Sequence, residues 1–463
     1  MQINGMFAPS CWLLAGGMLL MTTVNTNAGE RQITHDSKYN HELDNNDNFS
    51  PDDRFLVFDT RPGPDLSQAR VIAKVEIATG EITELYTPQH PNAFGPGVLA
   101  ASYAPNRDEV IFIHGPLHPD SAENQYEKHR RIGGIVPGDG SGAIRFADAR
   151  DTQAPYTPGA LRGGTHRHEF SGDGKWVGFT YNDAVVRAHG IKTGKHLDLR
   201  TIGVTKLGHP VKVPSSPQFL PHGDGFSALV VVVTPDPKPG SDEISHAASD
   251  SWVGQNGYRR ADGGRQLARA FIGTSRDKNG EPLDELFIVD IPQDITKPGP
   301  LGPLEGTDTA FPMPPEGTTQ RRLTDTADAK YPGCEGNARS SLDGERIAFR
   351  MRDAGGQWQI FLISPRGGQP QQATFIDRGV DTDARWHPSG DYLACVAGNK
   401  ILITDVRPGE TYGESRVLID HGPAPYALVW SRDGKTLAYN RAVKTNGKTV
   451  TQIFVADFDA DAQ

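Results

Sequence analysis

Cysteine is scarce in this chain of 463 residues: three are present, and two of them, Cys334 and Cys395, lie beyond the first 28 residues. So few cysteines exclude a disulfide-stabilised scaffold, and no CxxC or paired Cys/His spacing predicts a structural zinc site. Cys395 lies in an apolar strand pattern and Cys334 in a Pro-Gly turn, so we expect two separate buried thiols. A disulfide between them is the alternative.

Basic residues are too few to outnumber the acidic ones: 47 Lys and Arg stand against 57 Asp and Glu, for a formal net charge of -10. An acidic chain has no electrostatic attraction for nucleic acid or anionic lipid, so we expect no nucleic-acid partner. The sequence also contains no G-x-S-x-G, P-loop or G-x-G-x-x-G motif. This argues against the hydrolases, nucleoside triphosphatases and dehydrogenases that those motifs mark.

The first 28 residues contain no Asp, Glu, Lys or Arg, and Trp12 to Met21 form an apolar run followed by small and polar residues. With Thr26 at position -3 and Ala28 at position -1, this pattern is typical of a cleaved secretory signal and is too short for a membrane span. We therefore predict a signal peptide over 1–28 and a mature chain that begins near Gly29 without an integral membrane segment. The expected location is periplasmic or secreted.

A repeated pattern runs through the remaining chain: an aromatic or apolar residue, a short polar turn, and an apolar strand. Most of the turns contain Asp-Gly or Ser-Gly, which supply the positive φ of a tight turn between strands. Seven copies are present, at residues 49–58, 103–112, 170–179, 219–228, 341–349, 386–394 and 430–438. With the strand, turn and strand that usually follow, each copy predicts one four-stranded blade of a β-propeller.

We therefore predict an all-β protein, a monomeric β-propeller of about seven four-stranded blades in one domain over 29–463. Residues 31–34 (RQIT) are similar to 321–324 (RRLT), which end a blade. The N-terminal strand is thus expected to supply the outer strand of the last blade and to close the ring. The long interval over 234–318 is interpreted as an insertion that caps one mouth of the channel, with an eighth, degenerate blade as the alternative.

The densest polar segment runs from Arg162 to Asp183 and contains His166 and His168. Side chains two apart on a strand point to the same side, so both imidazoles are expected to face the axial channel. There they could bind a divalent metal ion, manganese or calcium, with His114 as a third ligand or His129 in its place. Metal-free hydrogen bonding in a polar channel is the competing interpretation.

Arginines accompany these histidines in an otherwise acidic chain, at 130, 131, 162 and 167. Guanidinium groups suit the recognition of carboxylate or phosphate. The candidate ligand-binding residues are Arg130, Arg167, Tyr181 and Asn182. The expected partner is a small carbohydrate or anionic ligand, or a periplasmic protein; ion pairs on the surface are the competing interpretation of the arginines.

Blade endings such as 321–324 (RRLT) and 363–370 (ISPRGGQP) resemble TolB-type propellers over most of the chain. Further stretches resemble the YidR-like family of bacterial proteins: 112–116 (FIHGP), 129–131 (HRR), 154–159 (APYTPG), 161–164 (LRGG), 179–183 (FTYND), 239–244 (PGSDEI) and 386–390 (WHPSG). The resemblance implies the propeller fold without indicating a reaction.

Residues 168–174 (HEFSGDG) are similar to a histidine-containing hairpin of oligogalacturonate lyases, seven-bladed propellers that hold a manganese-type ion. That resemblance implies metal-dependent β-elimination on uronate oligosaccharides, in which an arginine or histidine removes the proton next to the carboxylate. Arg162, Arg131 and His129 are the catalytic candidates. Two hypotheses result: an exported propeller that binds a ligand or protein at its channel mouth and, as the alternative, such a lyase.

Overall fold

The structure is a computed structural model that describes residues 29–43, 47–214, 216 and 218–460. The predicted signal peptide, residues 1–28, lies outside the described residues. Within them the chain consists mainly of β-strands and turns, with one α-helix, α1 (Ala184–Thr193), and two short 3-10 helices, Leu66–Gln68 and Lys128–Arg130. None of these described helices has the length and apolar character needed to cross a membrane.

Across the described residues, the strands form seven four-stranded antiparallel sheets, which are the blades of a β-propeller. The first strand, β1 (Arg31–Gln32), belongs to the last blade. Blade one comprises β2 (Asn40–Glu42), β3 (Phe55–Arg61), β4 (Val71–Glu76) and β5 (Ile82–Tyr86). Blade two comprises β6 (Val98–Tyr103), β7 (Glu109–His114), β8 (Ile132–Pro137) and β9 (Arg145–Phe146). Blade three comprises β10 (Gly163–Phe170), β11 (Trp176–Asp183), β12 (Arg200–Lys212) and β13 (His222–Leu229).

Blade four contains an extra hairpin between its first two strands. Its sheet comprises β14 (His246–Trp252), β17 (Ala268–Arg276), β18 (Pro282–Asp290) and β19 (Thr319–Arg322), and the hairpin is β15 (Tyr258–Arg259) with β16 (Arg265–Gln266). Blade five comprises β20 (Cys334–Ser340), β21 (Ile347–Arg352), β22 (Trp358–Ile363) and β23 (Gln371–Gln372). Blade six comprises β24 (Arg385–Trp386), β25 (Tyr392–Ala397), β26 (Lys400–Asp405) and β27 (Ser415–Ile419). Blade seven comprises β28 (Tyr426–Trp430), β29 (Thr436–Thr445), β30 (Lys448–Asp457) and β1.

The turn that opens four of the blades is held by a serine and an aspartate. In blade three the Ser171 hydroxyl donates to Asp173 Oδ1 at 2.6 Å and accepts from the Trp176 backbone N–H at 3.0 Å. The same pair of bonds is made by Ser50, Ser341 and Ser431. Such side-chain bonds satisfy the turn's backbone, which explains why Ser-x-Asp recurs in the sequence.

Tryptophans at the ends of three inner strands join consecutive blades. The indole N–H of Trp252 donates to the carbonyl of Glu169 at 3.0 Å, that of Trp386 to Arg339 at 2.9 Å, and that of Trp430 to Arg385 at 3.2 Å. In each case the bond reaches back to the preceding blade. These tryptophans therefore join neighbouring blades, and each indole N–H has a hydrogen-bond partner.

The ring is closed by the N-terminal strand, as predicted. β1 pairs antiparallel with β30, with Arg31 opposite Val455 and Gln32 opposite Phe454. Ile33 then packs in the apolar cluster between blades one and seven. This pairing covers the edge that the outermost of the three remaining strands of blade seven would expose.

Two predicted boundaries are wrong. The repeat copy at 219–228 does not open a blade, because His222–Leu229 is β13, the outer strand of blade three. The predicted insertion over 234–318 contains β14, β17 and β18, three strands of blade four. The pattern misses this blade because the hairpin β15–β16, rather than a tight turn, joins β14 to β17. The additional material is thus confined to shorter stretches such as 253–267 and 291–318.

Both cysteines of the described residues are buried and free, which confirms the prediction of separate thiols. Cys334 packs in the apolar cluster between blades four and five, and Cys395 in the cluster between blades five and six. Burial raises the pKa of the Cys395 thiol to about 12. Each thiol is therefore a small apolar core group in this fold.

Ring closure predicts a stability cost when Ile33 is truncated. Ile33 is 5% exposed, so Ile33→Ala is expected to lower the free energy of unfolding by about 2 to 5 kcal/mol. Ile82, on the outer strand of blade one, is 44% exposed, and Ile82→Ala is the matched control, with a change within about 0.5 kcal/mol. Urea unfolding followed by circular dichroism measures both; equal losses would contradict the structural role of Ile33.

Candidate functional site

A β-bulge interrupts the pairing of β10 with β11 at the predicted histidine pair. Two residues of β10, Arg167 and His168, lie opposite the single residue Phe179, and Arg167 has a left-handed backbone with φ of 50°. A bulge of this kind shifts the alternation of side chains along the strand by one place. His168 thus shares a face with Phe179, whereas His166, which is paired with Thr180, lies on the opposite face.

On its face of blade three, His166 is held by Arg131 and Asn182. Arg131 Nη1 lies 3.2 Å from His166 Nδ1, and His166 Nε2 lies 3.2 Å from Asn182 Oδ1. Because a guanidinium only donates, Nδ1 accepts and Nε2–H donates. Burial, reinforced by the charges of Arg131 and Arg200, holds the pKa of His166 well below its usual value. His166 is therefore a neutral side chain with a fixed tautomer.

The other two predicted metal ligands lie in different surroundings. His168 Nε2 is 2.9 Å from Thr165 Oγ1, and burial lowers the pKa of His168 to about 3. His114, in blade two, has Nε2 at 2.9 Å from the Tyr86 hydroxyl, and burial lowers the pKa of His114 to about 4. Both imidazoles are neutral hydrogen-bonding groups of the interior.

The described residues contain no group of three or more His, Cys, Asp or Glu side chains that could hold a metal ion. Within the described residues, His166, His168 and His114 therefore do not converge as one set of ligands, and the manganese or calcium site stays a prediction. The physical reason is the bulge at Arg167, which places His166 and His168 on opposite faces of one blade. The rule that side chains two apart share a face holds only for a regular strand.

Arg162 and Tyr181, predicted for catalysis and ligand binding, form a buried structural network with Asp183. The Arg162 guanidinium lies 2.9 Å from Asp183 Oδ2, and the Tyr181 hydroxyl donates to the same oxygen at 3.0 Å. Arg162 also donates to the carbonyls of Thr307 at 2.6 Å and Ala310 at 3.0 Å. These contacts fasten the 291–318 segment to blade three and occupy the donors of Arg162.

The remaining candidates follow one another beside the start of β10. His129 is buried, and burial followed by the neighbouring Arg130 charge lowers the pKa of His129 to about 4. Arg130 Nη1 donates to the backbone carbonyl of Gln125 at 3.0 Å. Arg131 is the residue of this trio that reaches His166. Direct hydrogen bonds thus bring together Arg131, His166 and Asn182 out of the predicted set.

The bulge of β10 recurs in four other inner strands. A left-handed residue begins each of the bulges in β6, β14, β20 and β28: Ala100, Ser249, Gly336 and Ala427. The bulge of β20 is longer, with the three residues from Gly336 to Ala338 opposite Phe349. The first paired residue after each bulge is Ser102 in β6, Glu169 in β10, Ser251 in β14, Arg339 in β20 and Val429 in β28. Since inner strands surround the axis of a propeller, these positions form one level of the channel.

A cavity of about 390 Å³ opens at this level. Its walls include Glu169, Ser251, Arg339, Arg385 and Val429 from five inner strands, together with Asp47, Arg432 and three tryptophans, Trp252, Trp386 and Trp430. Three arginines therefore share one small space in the channel. We refer to it as the arginine cavity.

The guanidinium of Arg339 is desolvated within the arginine cavity. Arg339 is 6% exposed, and its Nε, like that of Arg432, has no hydrogen-bond partner among the described residues. Burial, then the charges of Arg385 and Arg167, hold the pKa of Arg339 well below its usual value. Burial also lowers the pKa of Arg385 to about 10. For both groups the largest cause is burial, which disfavours the charged form.

Two carboxylates, Glu169 and Asp47, line the same cavity. Glu169 lies 3.1 Å from Arg269 Nη2 and accepts from the Trp252 backbone N–H at 3.3 Å, so it serves the contact with blade four. Burial raises the pKa of Asp47, whereas the charges of Arg432, Arg339 and Arg385 act in the opposite direction. With three arginines facing two carboxylates, the cavity is suited to a negatively charged group.

Arg167, predicted as a ligand-binding residue, lines an adjoining cavity of about 480 Å³ together with Arg385. Its guanidinium donates to Asn337 Oδ1, and the Asn337 amide donates to Asp383 Oδ2. Arg385 contributes to both cavities. The two spaces are thus successive parts of one polar channel.

The repeat pattern does not single out Arg339, Arg385 and Arg432, although a signal for the first two is present. Arg385 directly precedes Trp386 of a repeat copy, and Arg339 precedes the serine turn by two places, as Glu169 precedes Ser171. Aligning the residues that precede the turn in each repeat copy would have placed the charges of Arg339 and Arg385 at one level of the channel. The prediction from sequence instead centred on His166 and His168 of blade three, which lie outside the arginine cavity.

Comparison with known proteins places the chain among its relatives. Residues 97–218 match the model of the family DUF3748, described as a protein of unknown function. The chain is 39% identical over 418 residues to the uncharacterized protein YidR of Escherichia coli K12, a match that covers 88% of this chain and 94% of YidR.

Two solved structures match the chain along most of its length, and the first has a similar fold. An oligogalacturonate lyase in complex with manganese matches with a TM-score of 0.56 and 11% identity, over 94% of this chain and 95% of its own. A TolB structure from Agrobacterium tumefaciens matches with a TM-score of 0.36 and 14% identity, over 82% of this chain and 95% of its own. At such identities the likeness concerns the fold alone.

The seven four-stranded sheets around an arginine-lined channel define a β-propeller. The identity to YidR along nearly the whole chain identifies the group within that class: the chain belongs to the YidR family. The predicted family is thereby confirmed. Residues 97–218, which match the family model, cover blade two and blade three through β12, and so include Arg131, His166 and Asn182.

The structural role of Arg162 leads to a stability prediction. Asp183→Asn keeps an amide able to cap α1 but leaves the buried Arg162 without its counter-charge. The expected loss in the free energy of unfolding is about 3 to 5 kcal/mol. Asp262→Asn, which breaks the exposed Arg260–Asp262 pair, is the control and is expected to have little effect. Urea unfolding distinguishes the two, and an equally small loss in Asp183→Asn would contradict the role of the network.

Proposed function

We propose that this protein is an exported propeller that binds a small organic anion in the arginine cavity of its axial channel. The observation that carries the proposal is the buried guanidinium of Arg339, whose Nε lacks a hydrogen-bond partner among the described residues. Arg385 and Arg432 line the same space. Export is supported by the uncharged, apolar start of the sequence.

An anion would offset a large energetic cost in this cavity. Burying a charged group without a partner costs several kcal/mol even after the protein relaxes. A carboxylate or similar oxyanion accepts two parallel N–H bonds from one guanidinium, which restores the interactions lost on leaving water. The arginine cavity therefore favours a ligand with at least one such group.

The tryptophans suggest that the ligand also has an apolar part. The indole N–H groups of Trp252, Trp386 and Trp430 are already bonded to backbone carbonyls, so these side chains offer mainly apolar surface. A volume of about 390 Å³ is in the range of small-molecule sites. A small anionic carbohydrate or another carboxylic acid fits this combination of arginine and aromatic surface.

The lyase hypothesis gains less support from the structure. Metal-dependent elimination needs a divalent ion, and the described His, Cys, Asp and Glu residues do not converge in a group that could hold one. Similarity to the manganese-bound lyase, at 11% identity, extends to the fold alone. The proposal for this chain therefore rests on its arginines and on binding.

Binding can be tested with a charged and an uncharged form of one probe. Glucuronate and glucose differ in a carboxylate, and the emission of the three cavity tryptophans reports binding alongside calorimetry. We expect glucuronate to bind more tightly than glucose. Arg339→Gln is expected to weaken glucuronate binding by about 10- to 100-fold, because a charge-assisted hydrogen bond is lost.

Two further variants separate the cavity from unspecific effects of charge. Arg260→Gln removes an exposed arginine that is paired with Asp262 and is expected to leave glucuronate affinity unchanged. Arg339→Lys keeps the charge and is expected to retain part of the affinity. Equal binding of glucuronate and glucose, or unchanged binding in Arg339→Gln, would contradict the proposal.

A further inference from the structure

A second group of positive charges surrounds His166, outside the arginine cavity. It consists of four basic residues from blades two and three, Lys128, Arg131, Arg187 and Arg200, with the polar residues His166, Asn182 and Asp198 between them. We refer to it as the blade-three cluster. Along β10, His166 lies three residues before Glu169 of the arginine cavity, about 10 Å at the usual rise of a strand.

A single carboxylate, that of Asp198, forms ion pairs with two of the four basic residues. Asp198 lies 2.9 Å from Lys128 Nζ and 3.6 Å from Arg187 Nε. Asn182 also donates to Asp198 at 3.0 Å. Arg131 and Arg200 form no ion pair among the described residues, although the whole chain carries ten more acidic than basic side chains. The cluster therefore has an excess of positive charge in an acidic protein.

Arg131 and Arg200 are held in place by neutral groups. Arg131 Nη1 donates to His166 Nδ1 at 3.2 Å, and the Arg131 guanidinium lies 4.9 Å from the centre of the Tyr126 ring. Arg200 Nε donates to Asn182 Oδ1 at 3.1 Å, the oxygen that also accepts from His166. His166 and Asn182 thus fix two guanidinium groups without neutralising either one.

Several donors of these two arginines remain unused. The Nε of Arg131 is buried and has no hydrogen-bond partner among the described residues. Arg200 uses Nε for Asn182, and its two terminal nitrogens make no side-chain bond within the described part of the chain. Burial, followed by the positive charge of Arg131, lowers the pKa of Arg200. These two guanidinium groups are fixed by neutral partners and form no ion pair among the described residues, and a guanidinium is suited to binding an oxyanion.

We infer that the blade-three cluster is a second anion-binding site, in which Arg131 and Arg200 together bind a small oxyanion, a phosphate or a carboxylate. His166 acts as a positioning residue: it accepts from Arg131 and donates to the oxygen that holds Arg200. The inference stands independently of the proposed function, because the blade-three cluster and the arginine cavity have no residue in common.

Isothermal titration at low ionic strength tests this site with inorganic phosphate and with acetate as separate probes. We expect at least one of them to bind wild-type protein, and the tighter of the two identifies the chemical class. Arg200→Gln and Arg131→Gln are each expected to weaken that binding by about tenfold or more. Arg260→Gln is the matched control, because Arg260 is exposed, paired with Asp262 and outside the cluster, and its effect is expected to be small.

Two variants separate this site from the arginine cavity. Arg339→Gln is expected to leave the Arg200-dependent binding of phosphate or acetate intact, whatever its effect on glucuronate. His166→Ala is expected to weaken the binding, and His166→Asn, which keeps polar atoms, to restore part of it. The inference is overturned if neither probe binds wild-type protein, or if Arg131→Gln and Arg200→Gln bind as tightly as wild type in the folded state.

Discussion

The convergence of the inner strands on one axis is the constraint on which the rest of this structure depends. In five blades a left-handed residue forms a bulge in the inner strand, and the next paired residue lies at a common level of the channel. A polar side chain at that level has little water to solvate it. Arg339 is the clearest case, because it is buried and its Nε lacks a partner among the described residues. The repeated bulge thus determines which side chains line the channel, and Arg339 is one of them.

The architecture was predictable because its determinants are local. Ser-x-Asp turns in four blades and tryptophans in three make the same hydrogen bonds each time, so a short pattern in the sequence predicts the fold. The similarity of 31–34 to 321–324 likewise predicted the closing strand β1. Blade four escaped the pattern because a hairpin replaces its opening turn. Turn chemistry predicts a blade only where the turn is present.

The candidate site was less predictable because it depends on backbone irregularity and on distant strands. Spacing suggested that His166 and His168 act together, but the left-handed Arg167 between them turns the two side chains to opposite faces. Arg339 and Arg385 come from separate blades, and their shared cavity follows from ring closure rather than from any contiguous motif. Three of the candidate residues, Arg131, His166 and Asn182, are joined by hydrogen bonds, and their roles stay predictions.

The chain belongs to the YidR family, and its likeness to the manganese-bound lyase, at 11% identity, concerns the fold alone. Guanidinium donors lie in two separate groups, the arginine cavity and the blade-three cluster, and our proposals of anion binding rest on them.

Diffraction from crystals soaked in selenate tests the central claim most directly, because selenium in an oxyanion can be located by its anomalous signal. The account predicts a selenium peak in the arginine cavity, within hydrogen-bond reach of the Arg339 guanidinium, and its loss in crystals of Arg339→Gln. Wild-type crystals in which selenate leaves that cavity empty, or a peak that persists unchanged in the variant, would contradict it.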